Sequence, residues 1–402
     1  MKHFVPAASV AAVCILSASV SQAVTDNSFN PAISVILDGG YANYEGDPED
    51  YELAGFALGG EAEPPGAGFT IGHTEVNVSA NIDSNFFGKL TFALVEEEGA
   101  RVTELEEAYI ETISLGNGFR VRGGKFFSSI SYLNQQHEHA WDFRDAPLIY
   151  RGLFGKHYID DGLQVNWIAP TDMFIELGVE LLAGAGYPAG GEQNNIGAST
   201  IYLSLGGDIS DSSSWLAGVS RWEATDITRE YGGHAHGGGE EEDIEFEGDS
   251  DITALYAVYK WAPSGNFREE RFKLQFEMFS REDQGSVTIE EMTGPETSTL
   301  DSEQEGWYLQ AIYGWSPFWN AGIRYDSLES DNTGNDTMVL DEVGLLDGGH
   351  DPSRTSVMVE WVPSEFSRVR VQLSRDESTA VADDQLHVQY TYSLGAHGAH
   401  TY

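Results

Sequence analysis

Apolar and polar residues alternate along most of this chain, and the segment 353–374 shows the pattern at its plainest. Val357, Val359 and Trp361 alternate with Ser356, Met358 and Glu360. Val-Pro-Ser-Glu then reverses the chain, and Val369, Val371 and Leu373 alternate with Arg368, Arg370 and Gln372. A period of two puts one set on each face of a strand, so the stretch predicts a hairpin with one apolar and one charged face. Two successive guanidinium groups on one face cannot enter a dry core without partners, so that face is expected to be wet. A single hairpin of this kind also suits a β-sandwich with a solvated face, and only recurrence separates the two readings.

The device does recur. Trp167-Ile-Ala-Pro170, Trp261-Ala-Pro263, Trp315-Ser-Pro317 and Trp361-Val-Pro363 each close an alternating run and precede another. Proline suits the turn, having a fixed φ and no amide hydrogen to offer a ladder. Tryptophan at a strand end suits a membrane–water boundary, where an apolar ring with one donor is favoured. From residue 32 onward about sixteen strands can be counted, joined alternately by seven short turns and eight longer connections, at 44–68, 96–101, 128–160, 184–196, 226–248, 282–303, 329–350 and just before 385. An even strand number with short turns on one side and longer loops on the other is the pattern of an all-β, antiparallel transmembrane barrel with periplasmic turns and extracellular loops. Two consecutive sandwiches would call for a linker near the middle, and the composition shows no break there. The lipid-facing set is then Ile175, Leu177, Val179, Leu274, Phe276, Val357, Val359, Val369, Val371 and Leu373.

The first residues read as an address. Lys2 and His3 precede a mostly apolar stretch from Val5 to Val20, and Ser21-Gln22-Ala23 is a small-x-small cleavage site, which predicts a signal peptide over 1–23 and a barrel over 24–402. The apolar stretch is shorter than the ~20 residues of a bilayer-spanning helix. Cys14, the only cysteine, lies in this leader, so neither a disulfide framework nor thiol chemistry is expected. The chain carries 65 acidic against 21 basic residues, a formal charge of −44. That balance excludes binding to nucleic acid through phosphate contacts and favours attraction of cations. No nucleophile elbow or metalloprotease helix is present, and the pair Glu106 and Glu107 is too ordinary in so acidic a chain to nominate an acid and a base, so no enzyme is expected.

The segment GGKFFSSISYLNQQHEHAWDFRDAPLIYRG, from Gly123 to Gly152, holds the longest loop, 128–160, with Trp141, Phe143 and Tyr150 as apolar mass to pack against an inner wall. Long structureless loops in compact domains are usually functional. With Gly-Lys-Phe at the preceding strand end and Asp161-Gly162-Leu163-Gln164 reopening the next strand, the chain resembles outer-membrane porins of the phosphate-selective O/P type. The resemblance implies that this loop folds inward as a constriction, and that the barrel lies in the outer membrane, as a homotrimer in contact with lipid and lipopolysaccharide. The chain also resembles proteobacterial outer-membrane proteins grouped with zinc-regulated receptors, which share a histidine-containing tail like Ala396-His397-Gly398-Ala399-His400 here. The basic ladders on which phosphate selectivity depends are not matched. Arg120, Arg122, Lys125, Arg324, Arg368 and Arg370 are pore-lining candidates, but so are Glu176, Glu180, Glu277 and Glu360, and phosphate selectivity is not carried over.

Two His-x-His pairs, His137 with His139 and His234 with His236, stand beside carboxylates in expected extracellular loops. Neutral imidazole with carboxylate is a workable zinc donor set; the plainer alternative is a solvated acidic loop. The expectation is therefore a porin-type channel for small hydrophilic solutes or ions, linked to divalent metal uptake, with no cofactor beyond weakly bound zinc. The alternatives are a non-transporting adhesion or structural barrel, or a receptor of the TonB-dependent type without a plug; such receptors have barrels of about 22 strands and an internal plug.

Overall fold

The computed structural model describes residues 31–97, 100–190, 196–232, 243–291 and 294–395. The expected leader with Cys14, the pair His234 and His236, and the histidines of the tail lie outside them. The strands are β1 (Ala32–Asn43), β2 (Gly68–Thr70), β3 (Thr74–Asn81), β4 (Phe86–Glu97), β5 (Ala100–Thr112), β6 (Phe119–Phe127), β7 (Ile159–Ile168), β8 (Phe174–Leu182), β9 (Ala198–Ser210), β10 (Ser213–Tyr231), β11 (Asp243–Trp261), β12 (Arg271–Glu291), β13 (Gly294–Ser316), β14 (Trp319–Thr333), β15 (Ser353–Ser364), β16 (Ser367–Glu377) and β17 (Asp383–Gly395). β2 is a three-residue hook on the end of β1. The other sixteen pair antiparallel with their neighbours, and β1 closes the ring on β17 from Ser34 opposite Gly395 to Asn43 opposite Leu386. Closure leaves the paired ring without a free sheet edge, as a wall in lipid requires.

Alternation sets the faces as expected. Leu177, Val179, Val357, Val359, Val371 and Leu373 are exposed on the outside, while Gln275, Glu277, Arg324 and Arg370 on the other parity are buried within. At the turn end Trp315, Trp319 and Trp361 stand exposed side by side on β13, β14 and β15, with centroids 6.3 and 6.4 Å apart, as an interfacial girdle.

Three expected loops are corrected. The stretches 96–101 and 282–303, and both flanks of 226–248, continue the ladders: β12 runs for 21 residues and β13 for 23, against 9 for β8. About 9–11 tilted residues span a bilayer, so the upper parts of β10 to β14 stand beyond the lipid. There the polarity of the two faces inverts. Glu282 and Glu303 point outward, and Ile227, Phe246, Val287, Ile289 and Leu300 point inward.

That inner apolar face receives the connections that fold back into the barrel. The segment between β6 and β7 carries helix α1 (Leu148–Phe154), every residue of which is buried, and the β1–β2 connection adds Tyr51, Leu53 and Phe56. Helix α2 (Thr337–Glu342) packs Val339 and Leu340 into the same cluster. The loop end of the interior is thus filled by an apolar core, and the polar side chains lie against the wall and toward the turn end.

Candidate functional site

The densest group of ionisable side chains lies where the 128–158 segment meets the wall of β3, β4 and β5. A β-bulge creates it. Between Thr91 and Phe92 the β4–β5 register slips by one residue, so that both Glu106 and Glu107 turn inward and are buried. A bulge re-aims a side chain that strict alternation would send outward. Glu75 on β3 and His73 just before it face the same spot, and the segment supplies His137, Glu138 and His139 through a single turn at Glu138–Ala140.

The geometry is close. His73 Nε2 lies 3.0 Å from Glu106 Oε1, and His73 Nδ1 3.1 Å from Glu138 Oε1. His137 Nδ1 is 3.2 Å from Glu75 Oε2 and 3.4 Å from Glu106 Oε2, while His139 Nδ1 is 2.6 Å from Glu75 Oε1. Donor atoms of Glu75, His137 and His139, and likewise of His73, Glu75 and Glu106, fall within 4.8 Å of one another. Both nitrogens of His73, His137 Nδ1 and Glu106 Oε2 are buried without a hydrogen bond. Inward-pointing imidazoles and carboxylates converging on one spot are a workable donor set for a divalent transition metal, and Glu75 belongs to both triads.

The charge balance fits that reading. Burial works against a charge on His73, yet Glu138 and Glu106 outweigh it and hold the imidazole well above its ordinary range. Burial also opposes charge on His137, but Glu75 and Glu107 push it up to about 10 despite nearby Lys89. Glu138 is held well below the usual carboxylate range, since His73 and Lys156 overcome its burial. A divalent metal held by these residues would displace their protons and balance the carboxylates in their place. Behind His137 lies a second layer. Its Nε2 is 2.8 Å from Glu107 Oε2, which also contacts Lys89 Nζ at 2.5 Å and Thr91 Oγ1 at 2.8 Å. With the Nε2 proton donated to Glu107, Nδ1 would be the nitrogen available to a metal.

The wall residues singled out from sequence occupy definite places. Arg120 and Arg122 flank Glu111, at 3.4 and 2.7 Å. Glu176 accepts from Asn166 at 2.6 Å. Glu180 accepts from Ser129 N and Gln164 at the start of the 128–158 segment, both at 2.8 Å. Glu277 accepts from Tyr308, Tyr150 and Leu133 N at 2.6, 2.8 and 2.9 Å. Arg324 donates to Asp145 on the segment at 2.9 Å. Arg370 donates to Trp141 O and to Glu360, both at 2.7 Å, and Arg368 donates to His139 O. Glu180, Glu277, Arg324, Arg368 and Arg370 therefore grip the inward-folded segment. Lys125 is a correction. Register sets it opposite Asp161, two residues from the Gly123–Leu163 pair whose Leu163 is exposed, so it belongs to the outer face. Sequence reasoning found His137 and His139 but missed His73, Glu75, Glu106, Glu107 and Lys89. Two adjacent glutamates interrupting an alternating strand were the available signal.

No family model matches the chain. It is 28% identical over 407 residues to an uncharacterized protein of Aquifex aeolicus (strain VF5), covering 94% of this chain and 81% of that protein. Among solved structures, in-vitro folded OmpT of Vibrio cholerae in its trimer form aligns over 90% of this chain and 99% of that one, with TM-score 0.53 and 12% identity. The outer membrane channel DcaP of Acinetobacter baumannii aligns over 92% and 99%, with TM-score 0.54 and 10% identity. The likeness is to outer-membrane barrels in general, and with the closed sixteen-strand wall and its girdle it makes this chain a bacterial outer-membrane β-barrel.

Proposed function

We propose that the protein is a porin-type channel for small hydrophilic solutes or ions, with a divalent-metal station in its lumen that links it to uptake of a metal such as zinc. The observation that carries the reading is the constellation of His73, Glu75, Glu106, His137 and His139, placed where the 128–158 segment acts as a constriction against the wall. An apolar core fills the rest of the cross-section at the loop end, so a hydrated ion finds its polar contacts along β3, β4 and β5. The outer membrane channel DcaP and the trimer form of OmpT, which share this fold, support transport and a homotrimer embedded in lipid and lipopolysaccharide.

Phosphate selectivity is not part of this reading, because the wall guanidiniums do not form a free basic ladder: Arg120 and Arg122 share Glu111, and Arg368 and Arg370 share Glu360. Purified protein in planar bilayers is expected to give stepwise conductance, with a reversal potential of cation-selective sign across a salt gradient. Calorimetric titration with zinc is expected to show binding that the His137→Ala/His139→Ala variant loses. Zinc bound equally by both proteins removes the station. Silent bilayers favour a non-transporting barrel, a reading that the apolar filling of the loop end also supports.

A further inference from the structure

Going down β3, β4 and β5 from the loop end, Lys89 is the first basic side chain met below the cluster. The upper part holds Glu138, Glu75, Glu106 and Glu107 around three imidazoles. Its one lysine, Lys156, bridges Glu61 and Glu138 at the mouth, where its side chain is a quarter exposed and that of Glu61 is 41% exposed. Lower down on these strands the carboxylate is held by strong bases. Lys89 lies on the ladder row of Ser79 and Tyr109, one step nearer the turn end than the row of Asn77, Thr91 and Glu107. Beyond it come Glu111 with Arg122 and Arg120.

Lys89 reaches up to the cluster. Its ammonium lies 2.5 Å from Glu107 Oε2 and 3.2 Å from His137 Nε2, so one carboxylate is shared between a fixed cation and the imidazole that faces the metal station. For an ion leaving the station toward the periplasm, Glu107 is the next carboxylate, and Lys89 occupies it. An ammonium on a strand-borne side chain cannot diffuse away as a bound ion does. It competes for Glu107 at all times and repels a divalent cation in the low-dielectric wall.

We infer that Lys89 is a tethered counter-cation that closes the periplasmic side of the metal station, so that the station retains one divalent ion rather than passing ions freely. This rests on the reading of the cluster as a metal station. Removing the charge leaves Glu107 open as a second cation position below the first. The station then fills with two ions, and repulsion between them drives the lower one onward. Lys273 serves as the control, since it is another lysine of the lumen, held at 2.5 Å by Asp142 and with no contact to the cluster.

The test compares native protein with Lys89→Met and Lys273→Met, by zinc calorimetry and by bi-ionic reversal potentials in planar bilayers. Lys89→Met is expected to bind two zinc ions where the native protein binds one, and to raise the zinc-to-potassium permeability ratio roughly tenfold, the scale of one unscreened charge a few ångströms away. Lys273→Met is expected to leave both unchanged. Native-like stoichiometry and permeability in Lys89→Met overturn the inference, as does an equal change in Lys273→Met, which reduces the effect to net lumen charge. If the methionine variant does not refold, Lys89→Gln, which keeps a donor for Glu107, is read in the same way. Native protein that binds no zinc defeats the station itself, an outcome distinct from native binding with an inert Lys89.

Discussion

Asp145 is where the inward-folded segment is most dependent on a single charge. Its carboxylate accepts from Arg324 Nη2 at 2.9 Å and Gln372 Nε2 at 3.0 Å, and pairs with Arg354 Nη1 at 3.0 Å and Arg151 Nη2 at 3.6 Å. The guanidiniums of Arg151, Arg324 and Arg354 are offset by Asp145, Asp326 and Asp376, three against three, all nearly inaccessible. Burial alone would raise the Asp145 carboxyl, but Arg354 and Arg324 hold it well below the usual range, so it stays ionised across the working pH range. Asp145→Asn leaves one buried positive charge without a partner, a loss of about 3–5 kcal/mol. The wall keeps its ladders, and the backbone bonds from Arg324 to Asp145 O and from Arg354 to Ala146 O, both 2.8 Å, remain available. The loss is therefore expected to fall on the docking of residues 141–154 and not on the barrel. Limited proteolysis of the refolded protein should cut within that stretch in the variant only, and single-channel records should show larger and noisier steps. Native-like resistance together with native-like conductance would refute the assignment of this cluster as the clamp.

Two further changes test the wall and the interior. Val371, exposed on β16 between Val359 and Val388, is expected to tolerate arginine poorly: Val371→Arg near the midplane should cost about 2–4 kcal/mol in urea titrations of protein folded in vesicles, and an unshifted midpoint would reverse the assigned face. His157 lies between the rings of Phe127 and Trp141, at 5.0 and 4.7 Å, with both nitrogens unbonded, and burial lowers it to about 4. Because the unfolded chain takes up its proton first, this stabilisation is complete above pH ~6.5 and is lost as pH falls toward 4. The residue as a whole is partly exposed, so about 3 kcal/mol is an upper bound on the loss, and His157→Phe should flatten that acid limb in proteolysis-rate profiles.

Where lipid meets one face and the lumen the other, as along Val357–Val371, alternation alone is enough to read the strand, its turn and its orientation. It misleads in the upper hairpins because the physical environment reverses. Glu282 and Glu303 face water outside while Val287 and Ile289 face a dry interior, and an acidic run of that kind reads as a loop. Lys125 was misplaced for a local reason. Gly123 and Gly124 carry no side chains to mark the faces, and Gly124, at φ +127, packs so tightly that an added Cβ would lie 2.1 Å from Ala108 O. In the site, His137 and His139 announce themselves by spacing. His73 and Glu75 are single residues at an unremarkable strand start, and only the β3–β4–β5 meander and the return of the 128–158 segment bring them within 4 Å of those histidines or their carboxylates.

The charge of −44 also has a location, and that location constrains how selectivity can arise. On the outside of the upper hairpins, Glu223, Asp251, Glu282, Glu303 and Asp331 stand directly opposite one another across β10 to β14, with Arg221 paired to the first two at 2.6 and 3.1 Å. Like charges in cross-strand register are destabilising, so the row must be held by what lies behind it. Behind it are the inward apolar face and the buried Arg229–Asp283 pair at 2.6 Å, with Ser250 bonded to Arg229 at 2.7 Å. The rim can therefore carry charge that the lumen does not need. A rim of this kind raises the local cation concentration over about 10 Å at 0.1 M salt and over only about 3 Å at 1 M. The His and Glu cluster lies within the wall, where screening is weaker. Cation preference that fades with salt thus belongs to the rim, whereas a preference for divalent over monovalent ions that persists at high salt belongs to the station and to Lys89 beneath it.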